Sequence, residues 1–184
     1  MASFRLLAKC LIAVCLLITG CTQTTTPPNP APQITEKFDP ENKLEYGMMG
    51  VYLGQGIKEA MDQLKPTQYE FMDAVSRESL TVEQLARGEG TVSTGMIMIG
   101  KAQIIMKVRN GVVESLMTGG MSEEEGKTIK TNRGVAVYDG VDKVKQAYGE
   151  TQGDKELIFK GSTYQMLFSI HNGKVLGYRF DLVK

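Results

Sequence analysis

The sequence predicts an α+β fold made of two tandem copies of one unit, each with helix packed on an antiparallel sheet that closes with an Asn-Gly hairpin. Three observations predict it. Two amphipathic stripes, Ile57-Ala60-Met61-Leu64 and Val141-Val144-Tyr148, recur at helical spacing, and each follows a glycine. Two Asn-Gly pairs, Asn110-Gly111 and Asn172-Gly173, separate alternating apolar runs; this is the strongest short hairpin signal, because a type I′ turn needs φ > 0 at both central residues. The halves also align on each other without gaps, at an offset of 84 through the helices and 62 through the hairpins.

Composition sets the outer limits. The 184 residues carry 21 Lys plus Arg against 21 Asp plus Glu, so no basic surplus exists to hold nucleic-acid phosphates. One His occurs, which excludes any site needing two imidazoles. The three Cys are Cys10, Cys15 and Cys21, so the body holds no disulfide framework, thiolate nucleophile or Cys-based metal site.

In chain order, Arg5 and Lys9 make a short positive segment before the apolar run Cys10–Ile18. A spanning helix needs roughly 20 apolar residues, and this run is shorter. It ends Leu17-Ile18-Thr19-Gly20-Cys21, which resembles the bacterial lipobox. The resemblance implies removal of residues 1–20 as a signal peptide, and a diacylglyceryl thioether on Cys21 that anchors the chain to a membrane. Two acyl chains suffice for stable anchoring where one does not. Thr22 stands where the lipoprotein pattern, in a host with two membranes, implies that a residue other than Asp permits sorting to the outer membrane. Residues 22–33 hold four of the six prolines and no aliphatic side chain larger than Ala. This stretch cannot enter a helix or ladder. As an extended spacer it would reach roughly 30–40 Å; a leader without a spacing role is the alternative. The domain reading is thus 1–20 signal peptide, 21–44 lipidated Cys and Pro/Thr-rich tether, 45–120 first repeat, 121–184 second repeat.

Within the first repeat, Lys65-Pro66 ends the helix. The difference between the two offsets places about 22 extra residues between helix and hairpin. They include Thr81–Arg87, where Thr81 and Gln84 have capping-box spacing and Gly88 is a stop, which predicts a second short helix. Tyr69–Val75 and Thr91–Ile99 read as strands. In the second repeat Gly149 ends the helix, and Lys155–Lys160 supplies the corresponding strand.

The unit of glycine, amphipathic helix and antiparallel strands resembles the repeat of the β-lactamase inhibitory protein-like superfamily and the related small outer-membrane lipoprotein A family. Their helix signature is met in the second copy by Gly140, Val141, Val144, Tyr148 and Gly149, with Thr151 in place of a proline. The first copy meets it with Gly56, Ile57, Ala60 and Leu64, has Lys65 for the second glycine, and carries Pro66 one residue early. The resemblance covers about residues 47–183. It implies helices on one face of the sheet with the other face open, and two kinds of partner: envelope assembly machinery, or a secreted hydrolase that the protein inhibits.

The hairpin turn sets the register and hence the faces. In the first copy Ile104, Met106, Val108, Val113, Ser115 and Met117 form the expected core face. Ile105, Lys107, Arg109, Val112, Glu114 and Leu116 form the open one, with Lys107 opposite Glu114. Carried into the second copy, Met166, Phe168, Ile170 and Val175 line the core, while Leu167, Leu176, Tyr178 and Phe180 lie on the open face. These four are the candidate partner-binding residues, because large exposed apolar patches mark binding sites. Two readings compete: the loop 119–130 or the other copy covers them, or a bulge switches the face near the C-terminus, where Arg179 and Asp181 otherwise fall on the core side.

Other chemistry is poorly served. Gly120–Thr128 lacks the first glycine of a phosphate loop, and its three adjacent carboxylates repel a phosphate. Gly54-Gln55-Gly56 lacks the third glycine of a dinucleotide fingerprint. His171 flanks a turn, and the methionines read as core filler. The expectation is a non-catalytic, lipid-anchored envelope protein with no cofactor or metal, no catalytic residue and no nucleic-acid partner, which binds another protein. The rival is a small extracytoplasmic enzyme or ligand-binding protein with a pocket between the repeats.

Overall fold

The computed structural model describes residues 33–183. It is an α+β fold: a seven-stranded antiparallel sheet and a two-stranded sheet, with short helices. A small hairpin, β1 (Gly47–Met48) and β2 (Val51–Tyr52), precedes helix α1 (Ile57–Leu64). Strand β3 (Gln68–Asp73) and helix α2 (Val82–Ala86) follow, then β4 (Ser93–Ile99), β5 (Ala102–Arg109) and β6 (Val112–Gly119). A turn of helix, α3 (Glu123–Gly126), leads to α4 (Val141–Tyr148), β7 (Glu156–Lys160), β8 (Tyr164–His171) and β9 (Lys174–Leu182). The large sheet runs β3-β4-β5-β6-β9-β8-β7, so two meanders join where β6 meets β9.

Each helix begins and ends for the reasons the sequence offers. Helices α1 and α4 bury the stripes Ile57, Ala60, Met61, Leu64 and Val144, Tyr148. Lys65, at φ 47°, turns the chain out of α1 ahead of Pro66, and Gly149, at φ 94°, ends α4. Thr81 and Gln84 form the reciprocal capping box of α2. Ser122 and Glu125 do the same for α3, inside a segment that the sequence reads only as a linker.

The duplication holds atom by atom at the helix entries. The Ile57 N–H donates to Gly111 O at 2.9 Å, and the Val141 N–H to Gly173 O at 3.0 Å. The Gly54 N–H meets Val113 O at 2.8 Å, and the Tyr138 N–H meets Val175 O at 2.7 Å. Gln55 Oε1 accepts from the Tyr52 N–H, and Asp139 Oδ2, 84 residues on, from the Ala136 N–H. Each helix is thus pinned by its N-terminus to the Asn-Gly turn of its own hairpin, where Asn110 and Asn172 both sit at φ 50°.

The hairpins also share an irregularity. Lys107 pairs with Ser115 and Val108 with Val113, which leaves Glu114 as an extra residue; Ser169 pairs with Gly177 and Ile170 with Val175, which leaves Leu176. One extra residue exchanges the faces of everything beyond it. The expected faces therefore hold only up to the bulge. Leu116 is buried and Met117 is exposed, the reverse of the expectation. Lys107 does not oppose Glu114; Glu114 pairs with Arg109 at 3.0 Å instead.

The folded body also begins before Glu45. Phe38 packs edge-on against Tyr148 and Phe159, with ring centroids at 5.5 and 5.8 Å. Glu45 is fully buried and takes a bidentate pair from Arg133, whose guanidinium also donates to the Thr35 and Glu36 carbonyls. A single apolar core runs beneath both repeats, with an aromatic chain, Tyr148-Phe168-Tyr178-Phe180, through the second.

Candidate protein-binding face

The bulge decides which candidate residues can touch a partner. Tyr178 is 2% exposed and Phe180 0%, so both belong to the core, and their assignment to the open face is corrected. The Tyr178 hydroxyl donates to Ile129 O at 3.0 Å, and burial pushes its pKa well up. Leu176, the bulge residue itself, is 40% exposed. Leu167 is half-buried on the same open face. Cys21 lies outside the described residues.

The open face can be built row by row from the strand pairing. One row crosses all seven strands as Glu70, Met96, Ile105, Met117, Arg179, Leu167 and Ile158. Five of the seven are aliphatic, and Met96, Met117 and Ile158 are strongly exposed. The next row, Met72, Thr94, Lys107, Ser115, Asp181, Gln165 and Lys160, is mostly polar. The face is an apolar stripe across the sheet with a charged border, and Arg179 is tied to Asp181 at its centre.

A depression of about 440 Å³ interrupts the stripe at the β6–β9 junction, with Met117, Leu167 and Leu176 on its walls and Glu156 and Arg179 among its polar lining. Two glycines make it. A Cβ on Gly177 would stand 2.6 Å from Thr118 O, and one on Gly119 would stand 3.0 Å from the Gly177 Cα. The two repeats approach too closely there for any side chain, so bare backbone forms the floor.

Carboxylates with displaced pKa values have structural work elsewhere. Asp73 is held low by the N–H groups of Ser76, Val75 and Thr91, at 2.8, 2.9 and 2.7 Å, and so closes the loop after β3. Burial pushes the Asp139 carboxyl up, but Lys143 and the Ala136 N–H outweigh it and hold the group low. Burial raises the Tyr148 hydroxyl far above its usual value. His171 is exposed beside its turn.

Sequence reasoning missed Met96, Met117 and Ile158, and it placed Ile105 on the open face without making it a candidate. The alternation of Thr94-Gly95-Met96-Ile97-Met98 carried the signal for Met96, but reading every methionine as core filler hid it. Met48, Met61, Met106 and Met166 are core, whereas Met72, Met96 and Met117 are not.

No protein-family model and no curated protein sequence matches the chain. Among solved structures, it is similar to a cysteine-rich secretory protein from Staphylococcus aureus (13% identity, TM-score 0.40, covering 79% of this chain and 48% of that one). It is also similar to an extracellular protein containing an SCP domain from Bacillus anthracis (9% identity, TM-score 0.38, covering 82% and 49%). The chain thus spans about half the length of each. Likenesses this distant carry no argument about activity. Among the described residues, no helix is long and apolar enough to cross a membrane.

Proposed function

We propose that the protein is a lipid-anchored, non-catalytic lipoprotein of the bacterial envelope that binds another protein through the open face of its sheet. The observation that carries this reading is the apolar row from Met96 to Ile158, interrupted by a depression with a backbone floor. An apolar stripe broken only at Arg179 and bordered by charge has the make-up of an interface centre and rim. The depression suits one aliphatic or aromatic anchor from the partner, and such anchors dominate binding energy. The resemblance to the β-lactamase inhibitory protein-like repeat supports the same reading and suggests envelope assembly or inhibition of a secreted hydrolase as the task. The anchor is Cys21 of the lipobox, in the outer membrane if the host has two.

Two measurements test it. Photocrosslinking from position 105 in cells should trap a protein partner, and Met117→Asp with Leu167→Asp should abolish the adduct while the unfolding temperature stays within a few degrees. Unchanged adduct in the folded double variant would refute the face. Cys21→Ser should move the protein from the membrane to the soluble fraction and remove the lipid mass; a variant that stays on the membrane would refute the anchor.

A further inference from the structure

Residues 33–45 form a strap that crosses the second repeat without joining its sheet. Among the described residues, its backbone-to-backbone hydrogen bonds close only on the strap and on Tyr46, which follows it, as from the Asn42 N–H to Asp39 O and from the Glu45 N–H to Asn42 O. Side chains hold it, and three features of Phe38–Glu41 are read. The Phe38 ring fills a box made by Tyr148 and Phe159. The Pro40 carbonyl lies on Gly161, where a Cβ would stand 2.0 Å from its oxygen. The Glu41 carboxylate accepts from both the N–H and the hydroxyl of Ser162.

The first repeat has no such reader. Its positions equivalent to Gly161 and Ser162 are Ile99 and Gly100, and the flank of its β4 is taken by β3. The feature therefore belongs to the second repeat and is not a consequence of the shared fold. Its parts lie on the end of α4, on β7 and on the turn after β7, which the Gly161 N–H closes on Tyr164 O at 2.9 Å, while the bound segment contributes no ladder of its own.

We propose that this groove is a peptide-recognition site, filled in cis by the strap and open in trans to a partner protein's segment carrying an aromatic side chain and, three residues later, an acid. The ring and the acid each have a reader, edge-on aromatic contacts for the first and paired donors that favour a carboxylate over an amide for the second, while Gly161 admits the backbone carbonyl of the residue before the acid. This site is separate from the open sheet face and stands or falls independently of it. A partner segment that displaces the strap frees the residues that lead from the body toward Cys21, so binding would lengthen the connection to the N-terminus.

The test uses the full chain and a fluorescent peptide of residues 33–42. In the intact protein the strap competes at an effective concentration of order millimolar, so uptake of the peptide is weak. Phe38→Ala with Glu41→Gln takes the ring and the carboxylate out of the groove and leaves the strap fastened by Arg133, and this variant should bind the peptide at least about tenfold more tightly than the intact chain. Adding Gly161→Ala should abolish that binding, and peptides with Phe→Ala or Glu→Gln should lose most of theirs. If the double variant loses cooperative unfolding, Glu41→Gln alone, with its exposed carboxylate, carries the same comparison. A folded variant that ignores the peptide, or binds the substituted peptides equally, overturns the proposal. A concentration-dependent dimer of the intact chain, lost on Phe38→Ala, would overturn it in favour of exchanged straps between two copies.

Discussion

The two repeats share their helix entry, their hairpin turn and their bulge, yet they finish their cores by different means. The first is covered from within its own sequence. Strand β3 pairs with β4 along six residues, Phe71 lies over Gly95, and α2 contributes Val82 and Leu85 to the core. The second lacks those extra residues and is covered by the strap. Tyr69 stands opposite Ile97 in the first repeat; Phe38 packs on Phe159, the equivalent of Ile97, in the second. One cover is a backbone ladder, the other a side-chain clasp. A ladder adds a bond per residue and is insensitive to any single side chain. A clasp rests on a few groups and can be undone or replaced, which is why the second repeat can offer its groove to another segment.

The largest expected effect lies inside the aromatic core of the second repeat. Phe180→Ala should cost about 3–5 kcal/mol, because the ring is fully buried and its neighbours cannot close the space. Its counterpart 62 residues earlier is Thr118, whose hydroxyl donates to Gln103 O at 2.7 Å. Thr118→Val should cost only about 1 kcal/mol, the net worth of that bond. Urea unfolding of the two variants measures the contrast; equal losses would mean that the repeats share their stability evenly and that the aromatic chain is not the stronger core.

Much of this architecture is legible in the sequence, and the errors of face share one cause. The helix stripes, the Asn-Gly turns, the Thr81 capping box and the two offsets are local patterns, and local geometry realises them. The faces of β6 and β9 are not local. One residue inserted opposite a continuous partner, Glu114 or Leu176, turns Leu116, Tyr178 and Phe180 inward, and nothing in Glu114 or Leu176 marks either as extra. The burial of Tyr178 and Phe180 is nonetheless what large aromatic side chains favour, so their apolar bulk pointed to the core more reliably than counted alternation did. The strap was hidden for another reason. Its single apolar anchor, Phe38, follows a proline-rich stretch, and Arg133, which holds it, lies 88 residues beyond its partner Glu45.

Arg133 gives the next effect in size. Arg133→Ala leaves Glu45 buried without its partner, and breaking such a pair from one side costs about 3 kcal/mol or more. The loss should concentrate in the second repeat. Amide exchange should accelerate along β7 and in the strap, while β3 and β4 stay protected. Replacing both partners, Arg133→Met with Glu45→Leu, should recover most of the stability, since an apolar pair of similar bulk needs no compensation. Uniform loss of protection across the sheet would show that the two covers are not independent.

The smallest effect separates the covers by acid. Asp73 fastens the loop of the first repeat's cover and accepts three N–H bonds; Glu41 fastens the strap and accepts two bonds from Ser162. Both carboxyls lie below their ordinary values, Asp73 through the N–H groups of Ser76, Val75 and Thr91, and Glu41 through the hydroxyl and N–H of Ser162. A group whose folded pKa is depressed contributes stability above its unfolded pKa, about 3.9 for Asp and 4.3 for Glu. That contribution fades as pH falls below those values and is gone below the folded pKa. Glu41→Gln should therefore lower the unfolding temperature slightly at pH 7 and not at all in strong acid, with strap cleavage by a protease following the same curve. Asp73→Asn should show a larger difference at pH 7, confined to the loop after β3, because it weakens the acceptor of three N–H groups where Glu41 accepts only two bonds. If strap cleavage in the intact protein does not increase between pH 5 and pH 3, the Glu41–Ser162 contact is not what holds the clasp, and the aromatic box and Arg133 hold it alone.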